Sequence, residues 1–207
     1  MSDLYIIAAP SGCGKTSLVK ALLKTSNSLR VSVSHTTRKP REGEINGENY
    51  HFISTVDFQK MISNEEFIEH AEVFENLYGT SKKVISDSLN NTDVILEIDW
   101  QGAQQVKHNL QKAISIFILP PSKDALELRL RNRNQDSDAT IKKRMLDAKS
   151  QMSHYKEFDY LVINDDFDLA LADLKLITAS SSISNKSSHL LTDQQSDKHK
   201  KLLKQLI

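Results

Sequence analysis

Leu4-Tyr5-Ile6-Ile7-Ala8-Ala9-Pro10-Ser11-Gly12-Cys13-Gly14-Lys15-Thr16 runs from an apolar segment of strand length into a turn of small residues and then a Lys-Thr pair. The segment after it, Ser17 to Lys24, has the apolar spacing of a helix. Strand, glycine turn, Lys-Thr and helix in that order form the layout of a nucleotide phosphate loop. Glycines at 12 and 14 let the backbone curl so that successive N–H groups point inward at phosphate oxygens. The helix N-terminus adds partial positive charge. Lys15 is placed to reach the β- and γ-phosphates, and the Thr16 hydroxyl to hold Mg²⁺. Ala9 stands where the general pattern has glycine, so the strand and helix context carries this reading over an ordinary glycine-rich turn.

Composition sets outer bounds. A chain of 207 residues suits one compact domain with inserted lobes. Lys plus Arg equals Asp plus Glu, 27 each, so no global charge draws the chain to nucleic acid or to a membrane surface. Local clusters must carry any anion binding. Cys13 is the one cysteine, which excludes an intramolecular disulfide and points to a reducing compartment. The start of the sequence lacks a signal-peptide pattern and no apolar run is of membrane-spanning length. A cytoplasmic chain without nucleic-acid or membrane partners is expected.

Along the chain, Leu29 to Ser34 alternates as a strand does and leads into His35-Thr36-Thr37-Arg38-Lys39-Pro40-Arg41-Glu42-Gly43-Glu44, a polar loop with three cations in four positions. Tyr50 to Ile53 is another expected strand, so residues 34 to 53 form a small β-rich lobe. On residue type alone Arg38 and Arg41 are either a solvated basic loop or a second phosphate site built on bidentate guanidinium forks. Val56 to Phe74 is expected to be helical, and Tyr78 to Ser81 to be a polar turn. A helix is expected from Val84 to Leu89, ended by Asn90-Asn91.

Asp93 to Asp99 is an apolar run ending in acids, as in a buried parallel strand. An acid in that place organises Mg²⁺ in many phosphate-loop proteins. Asp99-Trp100-Gln101-Gly102 also fits the D-x-x-G of GTPases, but no N-K-x-D guanine-reading motif accompanies it. A helix over Gln104 to Leu110, a strand over Ala113 to Leu119, and two helices joined by the polar loop 131–138 follow, the first capped by Ser122 and the second running from Ala139 to about Tyr155. Such a pair has the form of a mobile lid. Tyr160 to Ile163 is a further strand and Leu169 to Ile177 an amphipathic helix. Six of the nine residues from Ser180 to Ser188 are serine, a linker composition, and Thr192 to Ile207 is expected to be one short helix with Leu202, Leu203 and Leu206 on one side. Strands alternating with helices give an α/β architecture with a mostly parallel sheet.

Six stretches, in order, resemble the guanylate kinases, and the bacterial enzymes in particular. They are Ser11 to Thr16, Ser32 to Arg41, Glu69 to Val73, Tyr78-Gly79-Thr80, Ile98 to Gly102, and Val162 to Asp166. The resemblance covers about Leu4 to Ile177. It implies transfer of the γ-phosphate of Mg·ATP to GMP, and to dGMP, on a phosphate-loop core with an inserted GMP lobe and a helical lid. The implied domains are core over 1–33, 91–125 and 151–178, GMP lobe over 34–90, lid over 126–150, and Ser-rich linker with tail over 179–207.

By the same resemblance the ATP site is Ala9, Pro10, Ser11, Gly12, Cys13, Gly14, Lys15 and Thr16 with Arg133 and Asn164. Lys15, Arg38, Arg41, Arg131 and Arg144 supply catalytic charge. Ser34, Arg38, Arg41 and Tyr50 grip the GMP phosphate. Glu69 accepts from guanine N1–H and the 2-amino group, with Tyr78 and Thr80 beside it where a hydroxyl can donate to O6. Mg²⁺ is held by Thr16. Asp99 serves the guanine end or, through water, the metal. The acceptor phosphate oxygen is already nucleophilic, so no general base is required.

Three positions depart from the family pattern: Glu97 where Asp is usual, and Asn132 and Asn134 where glycine is common. Cys13 is either a small filler or a thiol activated by helix-terminus amides. The other readings are a scaffold-type binding module on the same fold, against which Lys15, Thr16 and the lid arginines argue, and a kinase for another acceptor or a GTPase, against which Glu69 with Thr80 and the missing N-K-x-D argue.

Overall fold

The computed structural model describes residues 2–89, 92–132, 137–179 and 187–207. The chain forms two compact units, Met1–Ile6 with Ser28–Ala113 and Ile7–Asn27 with Ile114–Ile207. Both draw on β1 (Leu4–Ala8), whose five residues are all buried. A run with no polar position belongs inside a parallel sheet. The five-stranded sheet has the order β2 (Leu29–Val31), β7 (Asp93–Glu97), β1, β8 (Ile114–Leu119), β9 (Tyr160–Ile163). β2 pairs with β7, and β8 with β9, both in parallel.

The first unit also holds a mixed four-stranded sheet. Its order is β4 (His51–Phe52), β3 (His35–Thr36), β6 (Asn76–Ser81), β5 (Phe67–Val73). β5 and β6 are an antiparallel hairpin that pairs Glu69 with Thr80. Helices α2 (Thr55–Ser63), α3 (Lys82–Leu89) and α4 (Trp100–Asn109) complete this unit. Ser54 caps α2, its hydroxyl accepting from the Asp57 N–H at 3.0 Å, and Asp99 caps α4 by accepting from the Gly102 N–H at 2.8 Å.

Two expectations are corrected here. Val56 to Phe74 is not one helix: α2 ends at Ser63, Glu65 takes a left-handed φ of 53°, and the chain leaves as β5. Tyr78 to Ser81 is not a turn but the second half of β6. The turn of this hairpin is Phe74-Glu75, with φ of 50° and 64°. Positive φ at both central residues is what a two-residue hairpin needs to match strand twist, and it is usually met by Asn-Gly. Asn90 and Asn91 lie outside the described residues.

The second unit carries α1 (Lys15–Leu23), α5 (Lys123–Asn132), α6 (Asp138–Ser153) and α7 (Phe167–Thr178). Side-chain caps start the last three: Ser122 accepts from the Ala125 N–H at 3.0 Å, Ser137 from Thr140 at 3.2 Å and Asp166 from Leu169 at 2.9 Å. The tail is two helices rather than one, α8 (Thr192–Lys198) and α9 (Lys200–Leu206), broken at His199. Most of the serine-rich segment, 180–186, lies outside the described residues. Beyond it Leu191 bridges Tyr160 in antiparallel fashion, and the Thr192 N–H and hydroxyl donate to the Asp159 and Phe158 carbonyls at 3.0 and 2.7 Å. The tail thus covers the outer edge of β9, an edge that would otherwise present unpaired backbone groups.

Leu190, Leu203 and Leu206 are buried by this docking. Leu206→Ala is expected to cost about 2 kcal/mol and lower Tm by roughly 4–8 °C, with the Michaelis constants unchanged. A thermal melt followed by circular dichroism, run beside a chain ending at Thr178, checks this; an unaltered Tm in both would mean that the tail contributes nothing.

Candidate active site

In the second unit the chain leaves β1 through Ala9 and Pro10 into a tight turn, where the Cys13 N–H donates to the Pro10 carbonyl at 3.2 Å. Gly12 and Gly14 have φ of +98° and +87°, conformations that L side chains rarely adopt. Space enforces glycine as well. A Cβ on Gly12 would stand 2.9 Å from a Leu130 methyl, and one on Gly14 would stand 2.6 Å from Asn164 Nδ2. Gly14 is also the N-cap of α1 and offers no capping side chain, and the positive end of a helix N-terminus favours an anion. Lys15 and Thr16 occupy the first two positions of α1.

Asn164 binds the loop from behind. Its side-chain amide donates to the Cys13 carbonyl at 2.7 Å, and its N–H donates to the Leu119 carbonyl at the end of β8 at 2.8 Å. Arg129 Nη2 donates to the Asn164 carbonyl at 2.9 Å. Arg144, on α6, reaches the Ser11 hydroxyl at 3.2 Å. Arg131 does not join them: its guanidinium is held by Glu127 at 2.7 Å and Asp138 at 2.6 Å. Arg133 and Asn134 lie outside the described residues. Cys13 is fully buried, so its place in the loop is that of a small filler, closed to reagents in solution.

In the first unit, strand pairing brings three distant polar residues into one buried chain. The Thr80 hydroxyl donates to Glu69 Oε1 at 2.5 Å and lies 3.1 Å from the Ser34 hydroxyl. Glu69 is 3% exposed and Thr80 0%. Because the Thr80 proton goes to the carboxylate, Ser34 must be the donor in the other bond. Both hydroxyl protons are therefore committed, and neither is aimed at a guanine O6 in this state. Gly102 closes the back of the site. A Cβ there would stand 2.5 Å from Glu69 Oε2.

The phosphate-binding candidates gather a short way along the same sheet. Arg38 stacks over Tyr50 at 5.4 Å and Phe52 at 5.7 Å, and Tyr50 meets Tyr78 edge-on at 5.9 Å. Both Nη atoms of Arg38 donate to Glu44, at 2.9 and 3.0 Å, and the Arg41 N–H donates to the same carboxylate at 2.7 Å. Burial would raise the Glu44 carboxyl, but the hydrogen bonds from Arg38 and the Arg41 amide outweigh it and hold it below its ordinary value. Burial, then the neighbouring Tyr78 and Glu97, pushes the Tyr50 phenol up to about 12, so it remains a neutral donor at physiological pH. Asp99 stands as the cap of α4 beside Gly102 and Glu69. Three contributors were not singled out from the sequence. Gly102 sat at the end of the Ile98–Gly102 stretch with no role of its own, Glu44 in a loop read for its cations, and Arg129 in a helix read for Arg131.

No group of three or more His, Cys, Asp and Glu side chains among the described residues could hold a metal ion. The Thr16 hydroxyl at the start of α1 would suit Mg²⁺, which takes most of its ligands from substrate phosphates and water.

The sequence model described as Guanylate kinase matches residues 1–181. The chain belongs to the guanylate kinase family. Guanylate kinases of Escherichia coli (strain K12) and Salmonella typhimurium (strain LT2) are each 52% identical to it, over 99% of this chain and 97% of theirs. The crystal structure of guanylate kinase from Anaplasma phagocytophilum superposes with a TM-score of 0.73 at 31% identity, over 90% of this chain and 89% of that one. As a guanylate kinase the chain is a nucleoside monophosphate kinase, and its reaction is phosphorylation of GMP by ATP. No helix among the described residues is long and apolar enough to cross a membrane.

For this guanylate kinase, Gly102→Ala is a sharp test of the Glu69 site. Ala favours a helix over Gly by about 1 kcal/mol, yet the new methyl must displace a buried carboxylate. The expected result is a KM for GMP raised about tenfold or more, an energy on the scale of one misplaced charged hydrogen bond, with KM for ATP unchanged. Steady-state kinetics in both substrates decide it; an unchanged KM for GMP would show that the carboxylate's exact seat is immaterial.

Proposed function

We propose that this guanylate kinase works with its two substrates on separate sets of residues. The loop from Ala9 to Thr16 takes the ATP phosphates, and Ser34, Arg38, Arg41, Tyr50, Glu69, Tyr78, Thr80 and Asp99 take GMP. The observation that carries this reading is the Ser34–Thr80–Glu69 chain. A buried carboxylate accepts from guanine N1–H and its 2-amino group. Adenine would bring N1, an acceptor, against the same oxygen, so discrimination of about 10⁴-fold is expected from unpaired buried groups. Asp99 then serves the guanine end by capping the helix that carries Gly102.

Lys15 and the loop amides hold the transferring phosphoryl group and spread its charge as bonds loosen. Thr16 would hold Mg²⁺, which when bound neutralises charge on the ATP phosphates. Arg144, already at Ser11, adds charge from the lid, and Arg131 and Arg133 join it there when nucleotide is present. Arg38 and Arg41 orient the acceptor oxygen for in-line attack. No residue needs to remove a proton, since the acceptor phosphate is ionised at neutral pH. The lid over 126–150 would keep water from the phosphoryl group. This is chemistry for the cytoplasm, with small-molecule partners and no nucleic acid.

An ADP-release assay with Mg·ATP and each of GMP, AMP, CMP and UMP tests the assignment. Release is expected with GMP alone, reduced about 10²- to 10³-fold or more by Lys15→Ala. Comparable release with AMP would overturn the role of Glu69.

A further inference from the structure

Glu44 is tied to the acceptor loop more thoroughly than a surface carboxylate needs to be. Its two oxygens take Nη1 and Nη2 of Arg38 and the Arg41 N–H, while its own N–H donates to the Arg41 carbonyl at 3.1 Å. The ion pair is largely covered, with side-chain exposures of 14% for Arg38 and 19% for Glu44. Arg38 Nη1 spends its second hydrogen on the Lys39 carbonyl at 2.8 Å. A guanidinium has five N–H groups in fixed directions. These bonds use both hydrogens of Nη1 and one of Nη2. What remains is Nε–H and the second Nη2–H, which lie parallel along one edge, the geometry of a fork for a phosphate.

Two roles are open to such a carboxylate. It could occupy the place of the phosphate and leave when GMP arrives, or it could hold the arginine still and remain. The bond count favours the second, because Glu44 takes the end of the guanidinium and spares the side edge. Its grip on the Arg41 amide favours it too, since a departing carboxylate would release the whole 38–44 turn.

We propose that Glu44 is a positioning residue for the acceptor: it fixes Arg38 by the end of its guanidinium and Arg41 by its backbone, presents the Nε–Nη2 edge of Arg38 to the GMP phosphate, and stays in place when GMP binds. The proposal rests on the reading that Arg38 and Arg41 grip that phosphate.

The test uses the full chain with Glu44→Gln, Glu44→Asp, Arg38→Ala and the double variant Arg38→Ala/Glu44→Gln. Gln keeps the shape but turns an amide N–H₂ toward one guanidinium N–H. Glu44→Gln is expected to raise KM for GMP about tenfold, the scale of one charge-assisted hydrogen bond. KM for ATP and inhibition by guanosine, which lacks the phosphate, should stay within about twofold, so that less than about a third of that effect in free energy is attributable to other contacts. Glu44→Asp should fall between wild type and Glu44→Gln. In the Arg38→Ala background Glu44→Gln should add nothing, because the Gln oxygen keeps the bond from the Arg41 N–H and the contact it loses is the one to Arg38. An unchanged KM for GMP in Glu44→Gln overturns the proposal, and a lowered one does so by making Glu44 a competitor of the phosphate. Parallel loss of guanosine binding, or full additivity with Arg38→Ala, reduces Glu44 to a structural prop and also overturns it. If Arg38→Ala itself leaves KM for GMP unaltered, the phosphate reading fails and takes the proposal with it; if Arg38→Ala is damaging and Glu44→Gln is silent, the proposal alone fails.

Discussion

The constraint on which the nucleotide half depends is backbone conformation at two glycines. With φ of +98° at Gly12 and +87° at Gly14, the loop holds a shape that no L side chain accepts without strain. That shape has to be held from outside, and three elements hold it. Leu126 and Leu130 of α5 pack where a Gly12 side chain would be, Asn164 occupies the space beside Gly14, and Asn164 is itself fixed by β8 and by Arg129. The helix that lies against Gly12 carries Arg129 and Arg131. Packing of the phosphate loop and placement of the arginine helix are thus one arrangement, and a change in either is felt by the other.

The acceptor half has a different constraint, a carboxylate placed where a strand wants an apolar side chain. In β5 the inward positions are Phe67, Glu69 and Ala71. Each neighbour of Glu69 is shaped to tolerate it: Thr80 opposite, Ser34 next to that, Gly102 behind. A buried ionisable group costs several kcal/mol unless hydrogen bonds compensate. Guanine brings two N–H groups to such an oxygen pair, whereas adenine brings none. Under the proposed assignment, specificity would be largely the cost of leaving this carboxylate poorly served.

The same substitution of function for packing explains where the sequence was legible. Buried strands announced themselves, because β1 and β9 are apolar runs and β8 is interrupted only by Ser115, and Gly12 and Gly14 marked a turn that the structure holds at positive φ. The helix start at Ser122 followed cap chemistry. The hairpin of β5 and β6 did not show. Its alternation is broken by Glu69, its turn is Phe74-Glu75 rather than Asn-Gly, and Asn64-Glu65 reverses the chain without glycine or proline. The 3.6-residue pattern of α2 therefore ran on unchecked into β5. Nor can spacing reveal that Gly102 faces Glu69, since that contact is made only by tertiary packing of α4 on β5.

Charge partnering separates the two sets of arginines proposed to handle phosphate. The chain is neutral overall, with 27 cationic and 27 acidic residues, and one arginine of each set, Arg38 and Arg131, is paired with carboxylates. Arg131 is 43% exposed and shares Glu127 and Asp138; water screens ion pairs this open, so a polyphosphate can take the guanidinium at little cost. Arg38 lies against aromatic rings, and its pair with Glu44 is largely covered and tied to backbone, so breaking it by removing one partner costs more than breaking an open pair. The first arrangement suits a cation that must change partners in each turnover. The second suits one that must already be in position when the acceptor arrives, and that difference in exposure follows from where each arginine sits: Arg131 at the end of a helix in solvent, Arg38 in a loop folded against Tyr50 and Phe52.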